Sequence, residues 1–169
     1  MFCRKDIQVS NHLRTIVAHE FGHSAHNIIS NEAGMNWGQL EWTHPLIWLY
    51  QEGAATHFSR QTVKTNHPSV YYSYNDSGYE WLAFAEAYKK EILLEFAKDY
   101  LEQPSQALYL EWFSINGGKK FGHSRLAYYI GDLFFQKQIE RLGEWNAIIA
   151  WKEEDFIANA EKWLLQGEC

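Results

Sequence analysis

Cysteine is nearly absent: Cys3 and Cys169 stand near opposite ends of the 169-residue chain. No Cys-x-x-Cys spacing occurs, so a metal site here must draw on histidine and carboxylate. Two isolated thiols fit a reducing compartment, where they stay unpaired. Apolar runs are short. Nothing approaches the roughly 18 consecutive apolar residues of a membrane span. Residues 1–15 are polar and lack the apolar stretch of a signal peptide. The expected setting is the cytoplasm, with no membrane partner. Basic charge is in deficit as well. The net charge of −6 gives no broad basic surface, which argues against nucleic acid as a partner. Sustained β alternation is missing throughout, and so are repeats, low-complexity tracts and linkers.

What the chain does have is helical periodicity and aromatics. Length and an apolar fraction of 46% suit one soluble domain over residues 1–169. The 8 Trp, 10 Tyr and 10 Phe can fill a core or line a cleft. The spacing predicts a first helix over 11–29, capped by Ser10 or Asn11, with Leu13, Ile16, Val17, Phe21, Ala25 and Ile28 as its apolar face. A second helix is expected over 43–61, with Pro45 in its first turn. A loop rich in Tyr, Ser, Asn and Asp follows over 65–78. A third helix over 79–102 stops before Pro104, with Trp81, Leu82, Ala85, Tyr88, Ile92, Phe96 and Tyr100 on one face. A short helix at 105–113, a glycine loop at 116–122, a helix over 123–142 ended by Gly143, and one or two helices over 145–165 complete the chain. The expected fold is mainly α, a single domain of about six helices with little or no β-sheet.

The first helix contains His19-Glu20-Phe21-Gly22-His23. Histidines at i and i+4 share a helical face one turn apart, so both imidazoles can reach one zinc ion. Glu20 stands beside them, placed to take a proton from a metal-activated water. In a chain with this much His and Glu, chance supplies only about 0.035 such matches. An interior helix glycine costs about 1 kcal/mol against alanine, so Gly22 implies that another element packs close there.

Two histidines need a third protein ligand. His26 shares the face of His19 but lies roughly 10 Å further along the axis, too far for one ion, and reads as a polar flank of the cleft. Position 29 is Ile, where the metzincin pattern requires a third histidine. Glu52 is the better candidate. It lies on the second helix and is followed by Gly53, Ala54, Ala55 and Thr56. Such small residues let one helix press on another. His44 and His57 remain as alternative ligands, and Thr56 could hydrogen-bond a ligand imidazole.

The sequence here resembles the gluzincins, zinc peptidases with HExxH on one helix and a glutamate ligand on the next. More narrowly, Glu52-Gly53-Ala54-Ala55, followed by Ser59, looks like the "EGxA" glutamate segment of predicted zinc-dependent proteases of bacteria. Tyr128-Tyr129-Ile130-Gly131 is similar to the Tyr-x-x-Gly element of gluzincin aminopeptidases, whose tyrosine hydrogen-bonds the transition-state oxyanion. The resemblance thus implies a metallopeptidase helical core, Zn2+ on His19, His23 and Glu52, and catalytic roles for Glu20 and Tyr128. Independently, Tyr128 and Gly131 share a helix face, and Tyr128 could equally be a core aromatic. His123 and Arg125 are weaker candidates for binding an oxyanion or a substrate carboxylate.

The resemblance departs at the front. Gluzincins place a β-sheet before the HExxH helix, and its edge holds the peptide, whereas here only the segment Met1 to Ala18 precedes His19. No Gly-x-Met-x-Asn element is present to bind a free N-terminus. The expected function is peptide-bond hydrolysis of a peptide or protein substrate. The alternative is a non-catalytic zinc-binding helical module, or a peptidase core that needs a partner chain or an upstream β subdomain.

Overall fold

The computed structural model describes residues 4–64, 67–72 and 78–166. Among these it contains eight α-helices and no strand: α1 (Arg4–Glu32), α2 (Pro45–Thr62), α3 (Gly78–Ala87), α4 (Lys89–Glu102), α5 (Ser105–Trp112), α6 (Leu126–Leu142), α7 (Glu144–Ile149) and α8 (Phe156–Gln166). Short 3-10 turns lie at Pro68–Tyr71 and Ala150–Lys152. The mainly-α class holds, and the expected count of about six is corrected to eight. The helix expected over 79–102 is divided at Tyr88, whose backbone (φ −109°, ψ 23°) leaves the helical region. Tyr88 is correspondingly exposed, stacked on Phe84 at 4.7 Å and not buried in the predicted face. The C-terminal stretch is likewise divided into α7, a 3-10 turn and α8. The first helix starts at Arg4, so Ser10 and Asn11 lie within it. Nothing in Arg4–Ser10 is glycine or proline, so no residue there stops the helix. Much of the loop expected over 65–78 lies outside the described residues; its described part carries the 3-10 turn.

α2 is packed between α1 and α6. It is buried nearly all round, through Leu46, Ile47, Leu49, Tyr50, Gly53, Ala54, Ala55, Thr56, His57 and Ser59, the pattern of a central helix. Its N-terminus is capped by His44, whose Nδ1 accepts from the Leu46 amide at 3.2 Å. Close approach on both flanks explains its small residues. A Cβ on Gly53 would overlap the Gly131 carbonyl of α6, and one on Gly131 would overlap the Leu49 carbonyl oxygen. On the other flank, a Cβ on Gly22 would meet the Ala55 oxygen at 2.8 Å. Gly22 therefore marks a close helix contact, as its cost in propensity implied, whereas Gly53 faces α6 and not α1.

An ion pair between half-buried Arg60 and buried Asp132 ties α2 to α6. Arg60 binds both oxygens of Asp132, and Tyr72 donates to the same carboxylate. The pairing raises the already high pKa of Arg60 against the opposing effect of burial. Removing one partner of such a pair leaves a buried charge uncompensated. Elsewhere, Tyr50 donates to the Ala147 carbonyl and joins α2 to α7. Phe96 and Trp112 meet edge to face at 5.2 Å in the part of the core formed by α4 and α5, a favoured aromatic geometry.

α1 overturns its predicted orientation. Leu13, Val17, Phe21 and Ile28 are exposed, Phe21 to 70%. The buried face is Thr15, Ala18, His19, Gly22, His26 and Ser30. The Gly22–Ala55 approach leaves little room beyond small residues, and several of the buried polar groups have partners. Trp151 Nε1 donates to Ser30 Oγ at 2.6 Å, and His26 Nε2 donates to the Ile148 carbonyl at 2.8 Å. His26 also stacks on Trp151 at 4.1 Å, so it is a core residue and not the flank of a cleft. No described helix is long and apolar enough to cross a membrane.

Two outcomes test this packing. Gly131→Ala should lower stability in urea unfolding by about 2–3 kcal/mol through overpacking. Gly38→Ala, whose added Cβ meets nothing nearer than 3.6 Å, should stay within about 0.5 kcal/mol of wild type. The second outcome concerns pH. Burial pushes the His26 imidazole down to about 3, against the opposing Ile148 hydrogen bond. The folded state therefore holds His26 neutral while the unfolded state protonates it below about pH 6.5. Its contribution is present above about pH 6.5 and is lost as pH falls towards 3. His26→Gln keeps a donor for Ile148 but does not titrate, so its loss of stability between about pH 6.5 and 4 should be shallower than that of the wild type.

Candidate metal centre

The Gly22–Ala55 contact sets the geometry of the site. It lies between His19 and His23 on α1 and one turn beyond Glu52 on α2. His19 Nε2 stands 2.9 Å from Glu52 Oε2, and His23 Nε2 stands 3.6 Å from the same oxygen. The two imidazoles meet edge to face, with centroids 4.9 Å apart. One potential ligand atom from each residue lies within 4.8 Å of the others, the one such cluster of three among the described residues. Tetrahedral zinc ligands at about 2.0–2.1 Å from the ion stand roughly 3.3 Å from one another. The two observed nitrogen–oxygen separations straddle that value, and two imidazoles with one carboxylate form a known zinc ligand set. The donor set therefore fits the ion.

The electrostatics keep the carboxylate charged. Burial opposes charge on Glu52, but the His19 and His23 imidazoles outweigh it and hold the carboxyl at about 2. Glu52 is ionised at neutral pH, as a ligand must be. Burial also opposes charge on His23; the Glu52 carboxylate, with a smaller effect from Glu20, more than offsets it and raises the pKa. Glu20 itself is exposed on α1, next in sequence to His19. It is near enough to act on His23, and no bond holds it in the Glu52 cluster.

Tyr128 reaches the site from α6, its ring 5.8 Å from that of His19. Gly131 makes this possible by letting α6 settle on α2 one turn further along. The guanidinium of Arg125 lies over the Tyr128 ring, 4.0 Å from its centre. The other candidates separate from the cluster. His44 caps the start of α2, some two turns of helix before Glu52. His57 is bound to Glu144 at 2.7 Å, and His123 stacks on Phe84 at 4.2 Å. Thr56 is fully buried, yet its hydroxyl makes no hydrogen bond to a ligand imidazole among the described residues.

Sequence reasoning missed the Arg60–Asp132–Tyr72 pairing that holds α6 in register. A signal was there: Asp132 interrupts the apolar stretch Tyr129–Phe135, and a carboxylate in such a run needs a buried cation.

His19→Ala and Glu52→Ala should each lose most of the roughly one zinc per chain expected of the wild type, read by metal analysis after dialysis. Wild-type zinc content in both variants would remove the assignment. No protein-family model, curated protein or solved structure matches this chain, so the side chains of the cluster are the guide to its chemistry.

Proposed function

We propose that the chain is a zinc-dependent peptide-bond hydrolase. The observation that carries this reading is the convergence of His19, His23 and Glu52 from two helices, with an exposed glutamate adjacent to the first histidine. The resemblance to gluzincins, with Glu52 in an EGxA segment and Tyr128 in a Tyr-x-x-Gly segment, points the same way. A zinc ion held by the three residues would polarise a peptide carbonyl and bring the pKa of a water towards neutrality. Glu20 takes the proton of the attacking water and delivers it to the departing amine, serving as base and then as acid. Tyr128 donates a hydrogen bond to the carbonyl oxygen as it gains negative charge. The partner is a peptide or protein substrate, and the proposed setting is the cytoplasm, where Cys3 and Cys169 stay reduced.

One observation favours the second reading, a core that works with a partner chain or an upstream segment. Leu13, Val17, Phe21 and Ile28 form an apolar stripe on the outward face of α1. Exposed apolar stripes of this kind mark surfaces that are covered in the working assembly. The metal ligands would then be complete while the peptide-holding edge came from elsewhere.

Two outcomes test these readings. Glu20→Gln should retain zinc and fold but lose hydrolysis of a model peptide, and Tyr128→Phe should lower kcat roughly 10²-fold with little change in Tm. Turnover above a few per cent of wild type in Glu20→Gln would remove the base assignment. A fall in Tm alone for Tyr128→Phe would make that residue core. For the second reading, the chain alone should cleave short peptides far faster than casein-like polypeptides, because positioning supplies much of a hydrolase's rate. Brisk zinc-dependent cleavage of casein by the isolated chain would show that no further edge is needed.

A further inference from the structure

The outward face of α1 carries charge as well as apolar surface. Leu13, Val17, Phe21 and Ile28 are exposed by between 45% and 70%. At about 100° of rotation per residue, Val17 and Ile28 lie at the middle of this face, with the exposed Ser24 between them and Phe21 to one side. Two charged side chains stand at its ends. Arg14 and Glu32 are both exposed and 18 residues apart. That spacing is about five whole turns, so both lie on the same flank of the stripe. Neither has an ion-pair partner among the described residues.

This layout is complementary to itself. A two-fold axis passing beside position 23, midway between Arg14 and Glu32, pairs the helix with a second, antiparallel copy. Arg14 of each copy then stands level with Glu32 of the other, on the same side of the seam. The same operation sets Val17 against Ile28 of the second copy, and the bulky Phe21 against the small Ser24. A parallel pair would stack Arg14 on Arg14 and Glu32 on Glu32, so charge selects the antiparallel one. A two-fold pair is also the commonest closed arrangement of identical chains. The carboxylates of Glu20 and Glu32, both exposed on the border of the stripe, disfavour an anionic lipid surface as its cover. The stripe from Leu13 to Glu32 is roughly 28 Å long at 1.5 Å per residue. A contact of one helix with another over that length is at the small end of specific interfaces, so the pairing is reversible.

We propose that α1 pairs with α1 of a second copy of this chain, antiparallel, through Val17, Phe21, Ser24 and Ile28, with Arg14 meeting Glu32 at both ends. The inference rests on reading the stripe as a covered surface and not on the hydrolase reading. His19 and His23 turn away from the stripe towards Glu52, so the pairing needs neither zinc nor turnover. Sedimentation equilibrium of the whole chain from about 5 to about 500 µM should show monomer and dimer in exchange, with a Kd below about 100 µM. Phe21→Ser should weaken the dimer at least about tenfold without lowering the Tm of the monomer, where Phe21 is already in water. Arg14→Glu sets like charges against each other at both ends and should weaken it about tenfold. Adding Glu32→Arg to the same chain restores both contacts with reversed sign, and should return the Kd to within about threefold of wild type. A chain that stays monomeric throughout overturns the proposal, whether a different protein or a lipid surface then meets the stripe. A dimer that Phe21→Ser leaves intact uses another face and overturns it too. A double charge swap no tighter than Arg14→Glu alone removes the antiparallel register and the proposal with it. If Phe21→Ser lowers Tm, the charge swap, made on two exposed side chains, decides by itself. Peptide and casein cleavage are measured separately, so the hydrolase reading stands or falls on its own.

Discussion

The close approach of three helix backbones is the constraint on which the rest depends. At Gly22–Ala55 and Gly53–Gly131, α2 meets α1 on one side and α6 on the other at distances that exclude a Cβ. Helices at ordinary separations of about 8–10 Å leave room for side chains between them. Here that room is removed at the points flanking Glu52, so short reaches suffice. One carboxylate on α2 touches two imidazoles on α1, and a tyrosine on α6 stands beside the first of them. A methyl group at any of these glycines would push apart helices that each contribute a different part of the site.

The polar groups drawn inward by this packing have a common electrostatic logic. A carboxylate taken from water is costly unless it is paired. Glu52 gains two imidazoles, Asp132 gains a bidentate guanidinium and a phenol, and Asp99 gains Lys120 at 2.8 Å and the Trp112 indole at 2.8 Å. Asp132 and Asp99 are paired to groups that do not release them, and both tie one element to another. The partners of Glu52 are different in kind. Imidazoles exchange a proton for a metal ion, so the same pairing that offsets burial also leaves the cluster able to bind a cation.

α1 combines these effects in an unusual way. It turns its apolar residues to solvent and its histidines, threonine and serine to the interior. The inward face is narrow because of the backbone approach, and several of its polar groups find partners in Glu52, the Ile148 carbonyl and Trp151. The outward face keeps a stripe of Leu13, Val17, Phe21 and Ile28 that no described element covers. The helix that carries His19 and His23 is therefore also the one whose other side presents apolar residues to solvent.

Local patterns in the sequence were enough for the all-helical class, for the pairing of His19 with His23, for the helix start near Pro45 and the stop at Gly143, and for Glu52 as the carboxylate that meets them. Each of these follows from interactions within a few residues, or from glycine and small-residue placements that have few other uses. The division at Tyr88, the start of α1 at Arg4 and the left-handed turn at Arg125 were not legible, because helix periodicity continues through such points and only neighbouring elements decide them. Which face of α1 is buried was decided by tertiary structure against the hydrophobic pattern. Periodicity reports where apolar residues lie around a helix, but the distance between two backbones determines which of those residues can enter the contact. Between α1 and α2 that distance admits glycine, alanine and paired polar groups, and it leaves the larger apolar side chains outside.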